Sequence, residues 1–219
     1  MPSFHELSIP DLLRDARDLY TNARDDAEVF AVLSAEPWAF TADDFDAGLG
    51  LVAAVEEALE TEAREKLERG RATNAYGKAV RAVEKVYARH RGVLRSRIPR
   101  TAPEYRGLGL AGEAPDDRED LLKDAADFYG TLAAQPDLVA ATRGISDAGI
   151  AEARGLIEAA RKAGTVQTRE VGEAQRAQKD QQDAVEALRK HAALTASDAA
   201  AALADHAQLR ERLGLLDRS

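Results

Sequence analysis

The 219-residue chain contains no cysteine, one tryptophan and one methionine, and aromatic residues make up only 5% of it. Without cysteine there can be no disulfide, no thiolate metal site and no cysteine nucleophile. The sequence also lacks an uninterrupted apolar run of the ~20 residues that a membrane-spanning helix needs. Its start, Met1 to Glu6, has neither the basic residues nor the apolar stretch of a signal peptide. We therefore predict a cytoplasmic protein without a transmembrane segment.

The charge and the histidine positions argue against several functional classes. A net charge of −9 and a pI of about 5.1 argue against general nucleic-acid binding. A di-iron site in a helical bundle requires a glutamate three residues before a histidine. The residues three positions before the four histidines are all non-acidic: Pro2, Tyr87, Leu188 and Leu203. We predict no catalytic residue, no metal ligand and no cofactor, and enzymatic activity is the third-ranked hypothesis.

The segment Gly107-Leu108-Gly109-Leu110-Ala111-Gly112 matches the dinucleotide-binding pattern G-x-G-x-x-G. That pattern binds a dinucleotide only between a strand and a helix of a βαβ unit. Here a basic helical stretch precedes the glycines, Pro115 follows them, and no strand pattern occurs in the chain. The match is therefore interpreted as a glycine-rich loop.

The strongest pattern is internal repetition. Residues 12–20, LLRDARDLY, recur as LLKDAADFY at an offset of 109 residues. Residues 50–52 and 79–83 both recur at an offset of 105 residues. Two separate blocks with one offset indicate two diverged copies of a helical unit, with a four-residue length change in the loop after the first helix.

Apolar spacing predicts that these copies are helical. Leu12, Ala16, Leu19 and Tyr20 repeat with the period of an amphipathic helix. The fold class predicted is an all-α antiparallel bundle of four to six long helices, formed by two pseudo-symmetric copies of one unit. Thr41 and Ser146 are predicted to cap the second helix of each copy. The following residues lack proline, and a single helix over 41–97 and two helices broken near Gly70 are both left open.

A seam of small residues within this stretch indicates close, coiled-coil-like packing. Its spacing alternates between three and four residues: Ala72, Ala75, Ala79, Ala82 and Val86.

The predicted organisation is a first helical repeat over 1–98, a Pro/Gly-rich linker over 99–116 and a second repeat over 117–219, which can pack as one domain. The linker can also be an ordered crossover. Residues 127–132, 136–138 and 144–146 carry a pattern, DFYGTL, PDL and GIS, that resembles one in uncharacterised bacterial tandem-repeat helical-bundle proteins. The resemblance implies a fold and no activity.

A basic run is the one candidate binding site. Between residues 78 and 106 nine basic side chains stand against two acidic ones, Glu84 and Glu104, which leaves a local charge of +7. The candidate residues for binding an anion or a partner are Lys78, Arg81, Lys85, Arg89, Arg91, Arg95 and Arg97. An anionic partner would use this face. Alternatively, the face meets acidic helices of its own bundle or of a second subunit, or stays in water.

Two functional hypotheses follow from these patterns. The first is a structural or protein-interaction bundle that self-associates or binds a protein partner, because amphipathic Ala/Leu helices can present apolar stripes. The second is binding of an anionic partner, which can be nucleic acid, acidic lipid or acidic protein, through the basic 78–106 face.

Overall fold

The computed structural model describes residues 4–215, which form an all-helical fold with no β-strand in that range. Eight helices follow one another along the described chain. Their bounds are α1 Ile9–Asp25, α2 Ala27–Leu33, α3 Ala42–Arg97, α4 Pro103–Gly107, α5 Arg118–Ala133, α6 Pro136–Ala141, α7 Asp147–Ala202 and α8 Ala207–Arg212.

The predicted caps start the two long helices. The amide and the hydroxyl of Thr41 each donate to a carboxylate oxygen of Asp44 at 2.7 Å, which closes the first turn of α3. The hydroxyl of Ser146 accepts a hydrogen bond from the amide of Gly149 at 3.1 Å at the start of α7. Both caps were correctly predicted.

Residues 41–97 were predicted to form either one helix or two helices broken near Gly70. The structure has one continuous helix, α3, of 56 residues. Gly70 lies exposed inside it and does not end it. The helix stops just before Pro99, because a proline ring disfavours helical geometry at the preceding residue. Thr195 and Ser197, although cap-forming residue types, both lie inside α7.

The contacts divide the described chain into two compact units. Unit 1 comprises the described residues up to Glu65 together with those from Ala174 onward, and unit 2 is Lys66–Glu173. Each unit therefore contains one part of α3 and one part of α7. No helix in the described range is both long and apolar enough to cross a membrane.

In unit 1, α1 runs antiparallel to the first part of α3. Arg17 pairs with Glu56, and Arg24 pairs with Asp46, so positions later in α1 meet positions earlier in α3. The predicted apolar stripe of α1 is the buried one: Leu12, Ala16, Leu19, Tyr20 and Ala23. These side chains share one core with Val52 and Val55 of α3 and with residues of α7 such as Leu188.

In unit 2, the later part of α3 runs antiparallel to the first part of α7. Tyr76 lies against Gly164, whereas His90 lies against Gly149. The core includes Val80, Val83, Tyr87 and Leu94 of α3 together with Phe128 and Tyr129 of α5. The predicted seam is only partly buried: Ala72 is buried, Ala79, Ala82 and Val86 are half-buried, and Ala75 is exposed.

The predicted linker is an ordered part of unit 2. It includes α4, and the core of the unit contains Tyr105, Leu108 and Leu110 from this segment. Gly109 and Gly112 adopt positive φ angles of 61° and 76°, which only glycine accepts without strain. The glycine pattern therefore shapes a loop that folds back on α3.

Candidate anion-binding surface

The seven predicted binding residues all lie on the later part of α3, within unit 2. We call them the basic face: Lys78, Arg81, Lys85, Arg89, Arg91, Arg95 and Arg97. Six of the seven are exposed, and Arg91 is buried. Lys78, Arg81, Lys85 and Arg89 follow one another at three- and four-residue spacing, so they lie on the side of the helix away from the buried valines and Tyr87.

Within residues 4–215, no side chain of the basic face forms an ion pair with a carboxylate. The arginines of α1 behave differently: Arg14, Arg17 and Arg24 each contact at least one aspartate or glutamate. In the described part of the protein, the basic face therefore does not form ion pairs with acidic helices of its own chain.

Two members of the basic face hold the glycine-rich loop. The Arg91 guanidinium donates to the carbonyl oxygens of Gly109, Ala111 and Gly112 at 3.0 to 3.2 Å. Arg95 Nε donates to the Leu110 carbonyl at 2.7 Å, and its Nη2 donates to the Gly112 carbonyl. Hydrogen bonds from a cationic donor are stronger than neutral ones, so these two arginines fix the loop.

The Arg91 side chain is therefore buried and stabilises the loop, and it is not presented to a partner at the surface. Its side chain is 5% exposed, its guanidinium lies 5.8 Å from the centre of the Tyr87 ring, and its Nε has no hydrogen-bond partner among the described residues. The residues available to a partner on this face are therefore the six exposed ones.

A buried histidine–tyrosine pair lies beneath the basic face. His90 Nδ1 is 3.0 Å from the Tyr129 hydroxyl, and both residues are almost fully buried. Burial lowers the pKa of His90, and the positive charge of Arg89 acts in the same direction. Burial also raises the pKa of Tyr129 above its usual value. The pair is therefore neutral at pH 7 and serves as a polar contact in the core.

The other histidines follow different patterns. His191, on α7 in unit 1, makes the equivalent kind of contact, with Nδ1 2.7 Å from the Tyr20 hydroxyl. His90 is buried in the core, whereas His206 is exposed and precedes α8. A single sequence could not pair His191 with Tyr20, because 171 residues separate them.

The two units differ strongly in charge. Unit 2 contains 19 lysines and arginines against 16 aspartates and glutamates, a net charge of +3. The rest of the chain carries −12, although the protein as a whole is acidic at −9. The basic face therefore belongs to a unit whose net charge is opposite in sign to that of the rest of the chain.

No protein-family model, no curated protein and no solved structure matches this chain. The resemblance to tandem-repeat helical-bundle proteins and the cytoplasmic location therefore stay predictions.

Proposed function

We propose that the protein is a helical binding protein whose basic face docks on an acidic surface of another protein. The observation that carries this proposal is the lack of any carboxylate partner for the seven basic side chains within residues 4–215. Six exposed cations on one helical stretch repel each other, and an anionic partner would relieve that repulsion.

The size of the face fits a protein partner. Lys78 and Arg97 are 19 residues apart on one helix, which corresponds to about 29 Å. A standard protein interface, to which each partner contributes ~800 Å², is about 30 Å across, so the basic face can extend along the whole length of such an interface. The −12 charge of the rest of the chain would repel the extended negative charge of nucleic acid or of an acidic vesicle. An acidic protein surface of limited extent is the better match.

Self-association is the second candidate, and the charge asymmetry favours it. Unit 1 of a second copy is itself an acidic protein surface that could meet the basic face. Apolar contacts give less support, because the exposed large apolar side chains among the described residues are few and stand singly along the chain: Trp38, Leu67, Val166 and Leu194. Light scattering tests this candidate: a mass above the monomer at low salt that falls to the monomer at high salt is expected.

We also propose that the fold arose by duplication of one helical unit. In support, α1, α2 and α3 have 17, 7 and 56 residues, and α5, α6 and α7 have 16, 6 and 56 residues. Tyr20 and Tyr129, which correspond in the repeat, each contact a histidine of a long helix. Superposition of the two copies in an experimental structure would test the proposed pseudo-symmetry.

The docking proposal is tested by neutralising part of the face. The variant Lys78→Gln, Arg81→Gln, Lys85→Gln removes three exposed cations that hold no structural contact. Its matched control is Arg143→Gln, Arg154→Gln, Lys162→Gln, which removes three exposed cations from the same unit and changes the net charge equally. Fluorescence anisotropy with a short, labelled poly-L-glutamate peptide, which is an acidic probe of limited extent, measures the affinity of each protein at about 50 mM salt.

We expect the face variant to bind poly-L-glutamate about tenfold more weakly than the wild type, since each lost contact contributes ~0.2–1 kcal/mol. The control should bind within about twofold of the wild type. Equal weakening of both variants would show a response to net charge alone and would refute a specific docking face. Tighter binding to duplex DNA or to acidic vesicles than to poly-L-glutamate would refute the acidic-protein class.

A further inference from the structure

A cleft at the end of α3 is separate from the main stretch of the basic face. It is formed by the last turns of α3, the turn before α4, α4 itself and the glycine-rich loop. Its volume is about 500 Å³, and its lining residues are Arg95, Arg100, Tyr105, Arg106, Ala111 and Gly112. This volume lies within the ~300–1,000 Å³ that small-molecule sites occupy.

The charged groups that line the cleft all have one sign. Three of the six lining residues are arginines and none is acidic. Arg100 and Arg106 are exposed, and neither forms a salt bridge or a side-chain hydrogen bond with another described residue. Guanidinium groups that line a cleft without a counter-ion are poorly compensated and attract an anion.

Arg95 is held in place before any ligand arrives. Two loop carbonyls, those of Leu110 and Gly112, accept hydrogen bonds from its Nε and Nη2. Neither bond uses Nη1, so the two N–H groups of that nitrogen keep their hydrogen-bonding capacity. A side chain that is already ordered loses less conformational entropy when a ligand binds. Gly112, with a φ of 76°, gives the loop the turn that brings its carbonyl to Arg95.

We infer that this cleft binds a small, soluble molecule that carries two or more phosphate groups. Phosphate oxygens match the planar fork of a guanidinium in two-point hydrogen bonding, and arginine is the usual residue for such recognition. Three cationic groups with no lining carboxylate suit a ligand with at least two negative charges, and the volume leaves room for an organic part. Tyr105, which is almost fully buried, also lines the cleft and is the aromatic residue nearest to that part.

This site does not depend on the docking proposal. The two share only Arg95, which is not replaced in either test. The cleft is probed with a small molecule, whereas the basic face is probed with an acidic polypeptide. Loss of one binding activity with retention of the other would therefore separate the two proposals.

The test uses isothermal titration calorimetry of the full chain with inorganic pyrophosphate at low ionic strength. The variant Arg100→Gln, Arg106→Gln removes two of the three guanidinium groups, and the matched control Arg143→Gln, Arg154→Gln removes two exposed arginines of the same unit. All of these side chains are exposed, so each protein should unfold at the temperature of the wild type. Thermal unfolding without ligand verifies that the cleft variant is folded.

We expect saturable binding of pyrophosphate with one site per chain. Binding should be at least tenfold weaker in the cleft variant and unchanged in the control. Orthophosphate should bind more weakly than pyrophosphate, because it carries less charge. No saturable binding up to about 10 mM pyrophosphate, or equal affinity in the cleft variant and the wild type, would overturn the inference. Binding to vesicles that contain phosphatidic acid, without binding to pyrophosphate, would assign the cleft to a lipid headgroup and would overturn the soluble class.

Discussion

Replacing Gly48 by alanine tests how tightly α1 packs on α3 in unit 1. A Cβ atom built at Gly48 would lie 2.4 Å from Tyr20 Cε1 and 2.5 Å from Tyr20 Cζ. Such distances are far inside van der Waals contact, so either the ring or the helix must move. The ring of Tyr20 has little freedom, because it is fully buried and its hydroxyl lies 2.7 Å from His191 Nδ1.

Two opposing effects set the size of the change. Alanine favours a helix interior over glycine by ~1 kcal/mol, whereas overpacking a well-packed core costs ~1–3 kcal/mol, and more when neighbours cannot shift. The contact distances place Gly48→Ala at the upper end of that range. We therefore expect a net loss of about 1–2 kcal/mol in the free energy of unfolding.

Gly50 supplies the matched control, because it lies two residues further along α3 and nothing approaches its Cβ position within 4 Å. Gly50→Ala should stabilise the protein by ~0.5–1 kcal/mol through helix propensity alone. Urea unfolding monitored by circular dichroism measures both variants. Equal stability of Gly48→Ala and Gly50→Ala would refute the steric conflict between a Cβ atom at Gly48 and the Tyr20 ring. In a Tyr20→Ala background the Gly48 substitution should no longer destabilise, which attributes the cost to this ring.

Two further predictions concern unit 2. Arg91→Gln should destabilise the protein by ~2–3 kcal/mol in urea unfolding, because the three loop carbonyls at Gly109, Ala111 and Gly112 lose a cationic donor; an effect below that of the exposed control Arg154→Gln would contradict this. The pKa of His90, whose Nδ1 contacts Tyr129 of α5, is lowered from its ordinary value of 6.5 by burial and by the positive charge of Arg89, while the negative charge of Glu152 of α7 opposes this shift. The unfolded chain therefore binds a proton that the folded chain excludes, so stability should fall as the pH drops below 6.5 towards the folded pKa. Comparison of urea midpoints at several pH values between about 7.5 and 5.5 should show a decline in the wild type that is smaller in His90→Gln, and parallel profiles would disprove the assignment.

The sequence pattern predicts local structure well in this protein. Thr41 and Ser146 cap the long helices as expected, because a cap depends on residues within one helical turn. The buried stripe of α1 also follows from spacing alone. The continuity of α3 through Gly70 could not be decided, since the helix-breaking tendency of one glycine is small compared with the contacts along the rest of the helix.

The candidate site was predicted only in part. The local excess of positive charge locates the basic face, and helical spacing exposes six of its members. That Arg91 turns inward could not be predicted, because its three acceptors lie 18 to 21 residues further along the chain. The position of Arg100 and Arg106 at a cleft could not be predicted either, because both lie in the segment predicted to be a linker. The linker forms one wall of the cleft because Tyr105, Leu108 and Leu110 anchor it in the core.

The most direct measurement on the docking proposal is the reactivity of individual lysines, because Lys78 and Lys85 lie on the basic face whereas Lys162 and Lys190 are exposed elsewhere. An amine-reactive reagent is applied to the full chain with and without poly-L-glutamate, and mass spectrometry reads the labelling of each site. We expect poly-L-glutamate to protect Lys78 and Lys85 from labelling and to leave Lys162 and Lys190 as reactive as before. Equal protection of all four lysines, or protection of Lys162 and Lys190 alone, would contradict it.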